Sequence, residues 1–558
     1  MNYIYNVLTL LTVFLFLPST LNAQTVSYGV DTETDATDAE TEVFMPHLFP
    51  EHPLRETRAV WLTTIKGLDW PRVMAVDANS RERQKAELVK ILDNYKKANI
   101  NTVIFQTRVR AAVMYPSKIE PWEMSLTGVA GKDPGYDPLA FCIEECHKRG
   151  MELHAWVVCI PIGTAQRQSG YGSASIVKKH KELVKTAKNG EMFMLPGKPQ
   201  TADYIASICK EIAENYDIDG ISLDYIRYTE NSYKFSDDEL YPRGGRLSKD
   251  EWRRDNITRI VRAIHDAVKP IKPWVKLSSS PVGKYRDTNR YKAGGWNCYN
   301  AVFQDPRLWL RENYQDMLFP MMYFVGNNFY PFLFDWAENS YGHPIIPGLG
   351  IYFLDPREGR WKLNDVRAEM HTVRKSGIGG VAFFRGEFLT NNVKGIYDTA
   401  CDEFFPYPAL TARMTWMGDT IAPAAPSNLK YDNGKLLWNS SIPSASHSEH
   451  PHDYILYNVY GSNVYPVDVT KSENLLAVNV RNTEYELAGR ATTVRHYAVT
   501  AIDRLGNESP AVQEVAPTVE LPKHIDVSRL INRDLYDPKA NKKGEKASTK
   551  KEKKNKRK

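Results

Sequence analysis

Asp219-Gly220-Ile221-Ser222-Leu223-Asp224-Tyr225-Ile226-Arg227-Tyr228 is the stretch that decides the fold. Ile221 and Leu223 alternate with Ser222 and Asp224, so a strand through them has one apolar and one polar face. The apolar face suits a layer of outer helices, and the polar face then points inward. Two upstream segments share this parity. His154 and Trp156 alternate with Leu153, Ala155 and Val157, and Gln106 and Arg108 alternate with Val103, Phe105 and Thr107.

Working outward, a strand–helix rhythm runs from about Arg55 to Phe405. Strands are predicted over 58–64, 102–108, 152–158, 220–224, 275–280, 317–323, 345–351 and 380–384. Between them lie amphipathic helices with readable ends. Asp137-Pro138 is an N-cap with a first-turn proline, Ser248 to Glu251 is a capping box, and Asn364 is read as the cap of a helix that stops at Gly377. Eight strand–helix units over 55–405 predict an α/β fold, a (β/α)8 barrel. The alternative is a doubly wound open sheet, but eight separate apolar strands exceed what most open sheets use.

The flanks read differently. Residues 1–23 look like a signal peptide, with an apolar run at Leu8–Leu17 too short to span a bilayer comfortably and Leu21-Asn22-Ala23 as a small-residue cleavage site. Residues 24–54 read as a flexible leader. Residues 406–426 form a Pro/Ala-containing linker, and 427–517 show short strands divided by turn residues, a fibronectin type III-like β-sandwich pattern. Residues 518–558 are polar and end in a Lys-rich run, read as disordered. That run carries a net +9 of the formal +5 on the 558-residue chain, so the body is mildly acidic and no nucleic-acid-binding face is implied. No later segment is apolar enough to cross a membrane. The expected location is outside the cytoplasm, in the periplasm, cell envelope or extracellular space of a bacterium. The six cysteines have spacings that fit buried free thiols better than disulfides.

Barrel enzymes place their chemistry at the C-terminal ends of the strands. Asp219 and Asp224 cannot form a catalytic pair: they are about 16 Å apart along a strand and point to opposite faces. Asp219, at the start, suits a structural role. Asp224, at the mouth, is the leading catalytic candidate, as nucleophile or base; the alternative is a salt bridge to Arg227 or Arg108. Hydrolysis of a glycosidic bond generally uses a second carboxyl group. Glu387 after strand eight ranks first as the proton donor, then Asp355 after strand seven, then Glu120 in the loop after strand two. Trp61, Trp122, Trp156, Trp296, Tyr323 and Tyr352 gather at the same end and could stack on sugar rings. Of these, Trp122 and Trp296 are favoured because they sit in loops. Gln106, Arg108, His154 and Arg227 complete the expected substrate-binding set. His154 has no partners at ligand spacing, so neither metal nor cofactor is expected. His447, His450 and His452 read as a solvated loop. No phosphate-binding glycine loop or serine elbow is present.

RETRAVWLTTIKGLDWP (55–71), NTVIFQTRVRAAVMYPSKIEPW (101–122), PGYDPLAFCIEECHKRGMELHAW (134–156), YDIDGISLDYIRY (216–228) and DPRLWL (305–310) occur in order. Together they resemble the glycosyl-hydrolase-like 10 family of exported bacterial barrels. The resemblance implies a (β/α)8 glycoside hydrolase. One characterised member acts on peptidoglycan glycan strands freed of peptides. It also implies that Asp224 is an active-site carboxylate and that Gln106, Arg108, His154 and Trp156 belong to the cleft. One departure stands out: the family often follows His-Ala-Trp with Asn-Pro, where this chain has Val157-Val158. The expected activity is therefore cleavage of a β-linked glycan, foremost the peptidoglycan backbone. The rivals are a hydrolase of dietary or host polysaccharide and a non-catalytic envelope glycan-binding scaffold. The Lys-rich tail could bind anionic envelope polymers by charge.

Overall fold

A computed structural model describes residues 51–230, 234–242, 244–440 and 455–514. The stretches read as signal peptide and leader, up to residue 50, the histidine-containing loop and the Lys-rich tail fall outside these residues. Eight parallel strands make the main sheet: β1 (Thr57–Leu62), β2 (Thr102–Arg108), β3 (Glu152–Val158), β4 (Gly220–Asp224), β5 (Lys276–Ser279), β6 (Met317–Leu318), β7 (Gly348–Leu349) and β8 (Gly380–Phe383). β8 pairs with both β7 and β1, and the order then runs unbroken to β6. Single bridges from Leu318 to Ile345 and from Met321 to Gly348 join β6 to β7 and close the ring. The fold is a (β/α)8 barrel.

The alternation in β4 holds around the ring. Val60, Val103, Phe105, Leu153, Val157, Ile221, Leu223, Leu277 and Phe383 point outward into one large core shared with the helices. Ala59, Trp61, Ile104, Trp156, Val158, Met317, Phe319, Ile346 and Ala382 fill the barrel itself. The helices that carry the outer layer are α1 (Ala78–Lys97), α2 (Pro138–Lys148), α3 (Pro199–Asn215), α4 (Lys249–Val268), α5 (Pro306–Arg311), α6 (Tyr330–Glu338) and α7 (Leu363–Ser376). Their ends follow side-chain chemistry: Asp77 and Ser80 make a capping box on α1, Asp137 caps α2, and Ser248 with Glu251 caps α4.

Three expectations change. β6 and β7 are two residues each rather than seven. Pro320 and Pro347 interrupt these stretches, and a proline has no N–H to give to a ladder. α7 is capped from position 362, whose N–H donates to Asp365 at 2.9 Å, and Asn364 lies inside the first turn. Between β3 and α3 the chain inserts an unpredicted three-stranded antiparallel sheet, Pro161–Thr164, Val184–Thr186 and Glu191–Met194.

The C-terminal region is all-β, consistent with the fibronectin type III-like pattern. One sheet holds β9 (Ser427–Asp432), β10 (Lys435–Asn439) and β13 (Glu484–Glu486). The other holds β11 (Leu456–Ser462), β12 (Leu475–Val480), β14 (His496–Ile502) and β15 (Val512–Glu514). This sandwich is joined to the N-terminal face of the barrel. Leu54, Leu410, Tyr460, Leu475 and Val478 share a small core. Arg504 reaches Asp219 at 3.1 Å and Asp217 at 3.2 Å, and Arg481 reaches Asp217 at 3.0 Å. Gly150, at φ +71°, lies so near the sandwich that a Cβ there would collide with the Val478 carbonyl. The segment read as a linker lies across this floor: Leu410 pairs with the backbone at Arg55, and the Thr411 hydroxyl donates to Glu152 at 2.6 Å.

Candidate active site

β4 delivers Asp224 to the mouth of the barrel, with Asp224 beside Val158 and Ser222 beside Trp156 in the β3–β4 register. Asp224 is buried, with 6% of its surface exposed. Its Oδ2 accepts the Trp156 indole N–H at 3.0 Å. Its Oδ1 accepts the Tyr225 backbone N–H at 2.7 Å. Tyr225 adopts φ +50°, a left-handed conformation that costs a non-glycine residue about 1 kcal/mol, and this turn brings its N–H back onto the carboxylate. Burial pushes the Asp224 carboxyl up to about 6, against the opposing pull of the Tyr225 N–H, Arg227 and the Trp156 indole. Loss of hydration outweighs two hydrogen bonds and a nearby cation. The group therefore exchanges its proton close to neutral pH, as acid–base catalysis requires.

An aromatic wall surrounds it. Arg227 lies 4.6 Å from the Tyr225 ring and 5.6 Å from the half-exposed Trp296 ring, and it donates to Glu230 at 2.9 Å. Tyr323 stacks on Phe384 at 5.2 Å and meets Tyr352 edge-on at 5.8 Å. Burial first, and then the Asp224 charge, hold the Tyr323 phenol well above its usual range, so it remains a donor. Trp61 packs against Phe319 and Phe384 below this layer. Asp224, Trp156, Arg227, Trp296 and Tyr323 are thus brought together.

Other candidates are placed elsewhere. Arg108 does not enter the barrel: a register shift after Gln106 pairs it with the outward-facing Val157, and there it is fully buried and forms a fork with Glu120, at 2.8 Å and 2.6 Å. Its remaining nitrogen donates to the Val158 and Cys159 carbonyls, and Tyr204 donates to Glu120 at 3.0 Å. Arg108 and Glu120 are therefore a sealed structural pair, not cleft groups. The Gln106 amide oxygen accepts the backbone N–H groups of Thr64 and Ile65 at 2.9 and 2.8 Å, shaping the loop after β1. His154 is wholly buried one layer below Trp156, with Nε2 3.2 Å from Glu152. Gly220 leaves room for that ring, since a Cβ there would approach it to 2.7 Å. Trp122 packs on the outer core instead of facing Asp224.

The ranked partners are each bound by arginines, and neither is among the charges acting on Asp224. Glu387 pairs with Arg72 at 2.7 Å and Arg385 at 3.0 Å, and it lines a side cavity shared with Glu87, Lys90 and Asn94 on α1. Asp355 is clasped by the Arg357 guanidinium at 2.6 and 3.0 Å, and this bonding takes its carboxyl down to about 2. Such a group holds no proton to donate near neutrality. Among the described residues, the charge acting on Asp224 is Arg227 and not a second carboxylate. Sequence reasoning missed Glu191 and Glu230, which line a small cavity beside Tyr225 and Arg227. Glu191 comes from the inserted sheet, which carries no barrel periodicity. Among the described residues no three His, Cys, Asp or Glu side chains form a metal-holding group.

A glycosyl hydrolase-like 10 family model matches residues 56–347. The chain is 32% identical over 487 residues to the glycosyl hydrolase YngK of Bacillus subtilis, covering 82% of this chain and 92% of YngK. The chain belongs to the glycosyl hydrolase-like 10 family. The glycosyl hydrolase DigH of Escherichia coli is 35% identical over 287 residues, 48% of this chain and 65% of DigH. Among solved structures, the PgaB (BpsB) glycoside hydrolase domain of Bordetella bronchiseptica aligns with a TM-score of 0.42 at 12% identity, over 63% of this chain and 99% of that domain. By family the protein is a glycoside hydrolase. Asp224 and its aromatic wall lie inside the matched region, except for Tyr352 and Phe384; Asp355 and Glu387 lie beyond its end.

Proposed function

We propose that this family member cleaves the β-linked amino-sugar backbone of peptidoglycan in the bacterial envelope, with Asp224 exchanging a proton with the reacting glycosidic centre. The observation that carries this reading is a buried carboxyl at the barrel mouth whose proton is held up to about 6. A proton donor works best when its pKa lies near the working pH. Trp156 and the Tyr225 N–H fix its orientation. Tyr225, Trp296 and Tyr323 offer ring faces on which a sugar can stack, and Arg227 offers a fixed cation beside them.

The test is a substrate panel. Purified protein is incubated with peptide-free glycan strands, with intact peptidoglycan, and with plant and host polysaccharides, and new reducing ends are quantified. Fastest release from peptide-free strands is expected. A clear preference for plant or host glycans would transfer the activity to those substrates. Tight binding without release from any of them would support the scaffold reading.

A further inference from the structure

Beside the Asp224 wall lies a groove of about 940 Å3 formed by the loops after β1, β2 and β3. It contains four cations, Lys66, Arg72, Arg110 and Arg167, against two carboxylates, Glu123 and Glu191. The pairing is uneven. Arg167 is bound to the buried Glu123 and to the Val109 carbonyl, and Arg72 is held by Glu387 at 2.7 Å. Arg110 meets Glu191 only loosely, at 3.5 Å, and is about a third exposed. Lys66 is exposed and has no acidic partner among the described residues. The groove therefore presents two cations, one unpaired and one weakly paired.

Both are held on shaped backbone. Lys66 stands at φ +55° and Arg110 at φ +52°, left-handed conformations rare outside glycine. The Gln106 amide oxygen accepts the backbone N–H of Ile65, the residue before Lys66, and Gln168 donates to the Arg110 carbonyl at 3.3 Å. Left-handed turns on non-glycine residues, held by buried side-chain amides, mark a conformation kept for a use. The apolar surface of the groove comes from Met74 and Met124, which are 55% and 37% exposed. Polarisable side chains of this kind can lie against a sugar face.

The groove also continues to Asp224. Arg110 and Glu191 line it and also line the small cavity bounded by Tyr225 and Arg227. A glycan reacting at Asp224 would run past these side chains on its way into the groove.

We infer that this groove seats the flanking saccharides of an anionic glycan, and that Lys66 and Arg110 receive a carboxylate carried on the sugar. The inference rests on the hydrolase reading for its setting, and it names a feature of the substrate that the catalytic centre does not: a free carboxylate on the strand. Lactyl ethers on amino sugars and uronic acids both supply that chemistry. The guanidinium can donate to a carboxylate as a fork, and the ammonium adds a mobile charge.

The experiment measures binding, so it does not depend on turnover. Calorimetry of the intact protein compares glycan strands bearing lactyl carboxylates, the same strands with their carboxyls converted to neutral methyl amides, and a β-linked strand bearing uronates. Wild type should bind a carboxylate form about tenfold more tightly than its neutral counterpart, and the preference should shrink as salt rises. Lys66→Met and Arg110→Gln should each reduce it, and the double variant should abolish it. The tighter of the two anionic strands identifies the source of the carboxylate. Equal affinity of wild type for the charged and neutral forms would overturn the inference without reference to any variant's folding. So would a preference that survives in the double variant. A protein that shows the preference yet releases no reducing ends would contradict the hydrolase reading alone.

Discussion

At the N-terminal end of β4, Asp219 lies beneath the β-sandwich and is met by His147 at 2.8 Å, by Arg504 at 3.1 Å and by the Leu153 backbone N–H at 2.8 Å. At the C-terminal end, Asp224 has one indole, one backbone N–H and a nearby arginine that binds a different acid. Burial raises both carboxyls. His147 and Arg504 more than reverse that for Asp219 and hold it well below the usual range, whereas nothing comparable acts on Asp224. Five residues along one strand thus separate a carboxylate that joins the barrel to the β-sandwich from one whose ionised form is disfavoured by burial. Groups that cost stability and persist at a cavity mouth mark function, and fully paired ones mark architecture.

That contrast can be broken most forcefully at Asp224. Asp224→Asn should lower kcat/KM about a thousandfold while thermal unfolding stays cooperative, the size expected when an acid–base group is removed. Asp219→Asn should do the reverse. It leaves His147 and Arg504 with only the partly exposed Asp217 as counter-charge and should cost about 3 kcal/mol in denaturant titration, with kcat within threefold of wild type.

The two sites should also respond to pH with opposite sign. Asp224 binds its proton more tightly folded than unfolded, with folded and ordinary values of about 6 and 3.8. Its contribution to stability is complete below about pH 4 and is lost as pH rises through 6. Asp224→Asn should therefore stabilise the protein at pH 8, by up to about 3 kcal/mol, and the gain should vanish by pH 4. Asp219 has a depressed value, so its contribution is present above the ordinary carboxylate range and is lost as pH falls through and below it. Smaller still, Glu387→Gln and Asp355→Asn should each change kcat/KM less than fivefold in the same reducing-end assay, since both are bound to arginines and neither is among the charges acting on Asp224.

Much of this was legible in the chain because it is local. Period-two alternation in 102–108, 152–158 and 220–224 placed the inward and outward faces, and odd spacing assigned Asp219 and Asp224 to opposite sides. Capping residues marked α2 and α4. Contacts made through space were not legible. Parity assigns Arg108 to the barrel interior, but a register shift after Gln106 turns it to the outer layer, where Glu120, from a loop twelve residues on, pairs with it. His154 shares the parity of Trp156 but sits one layer too deep. The groove depends on left-handed backbone at Lys66 and Arg110, residues whose identity carries no glycine signal.

The measurement that bears most directly on the two ends of β4 is a pH titration of aspartate side-chain carboxyl carbons by 13C NMR, with Asp224→Asn and Asp219→Asn as assignment controls. One resonance titrating near pH 6 and missing from Asp224→Asn, together with an Asp219 resonance still ionised at the lowest pH the fold survives, is the predicted result. An Asp224 carbon that titrates near 4 would contradict it and remove the basis for making this group the proton-exchanging centre of the enzyme.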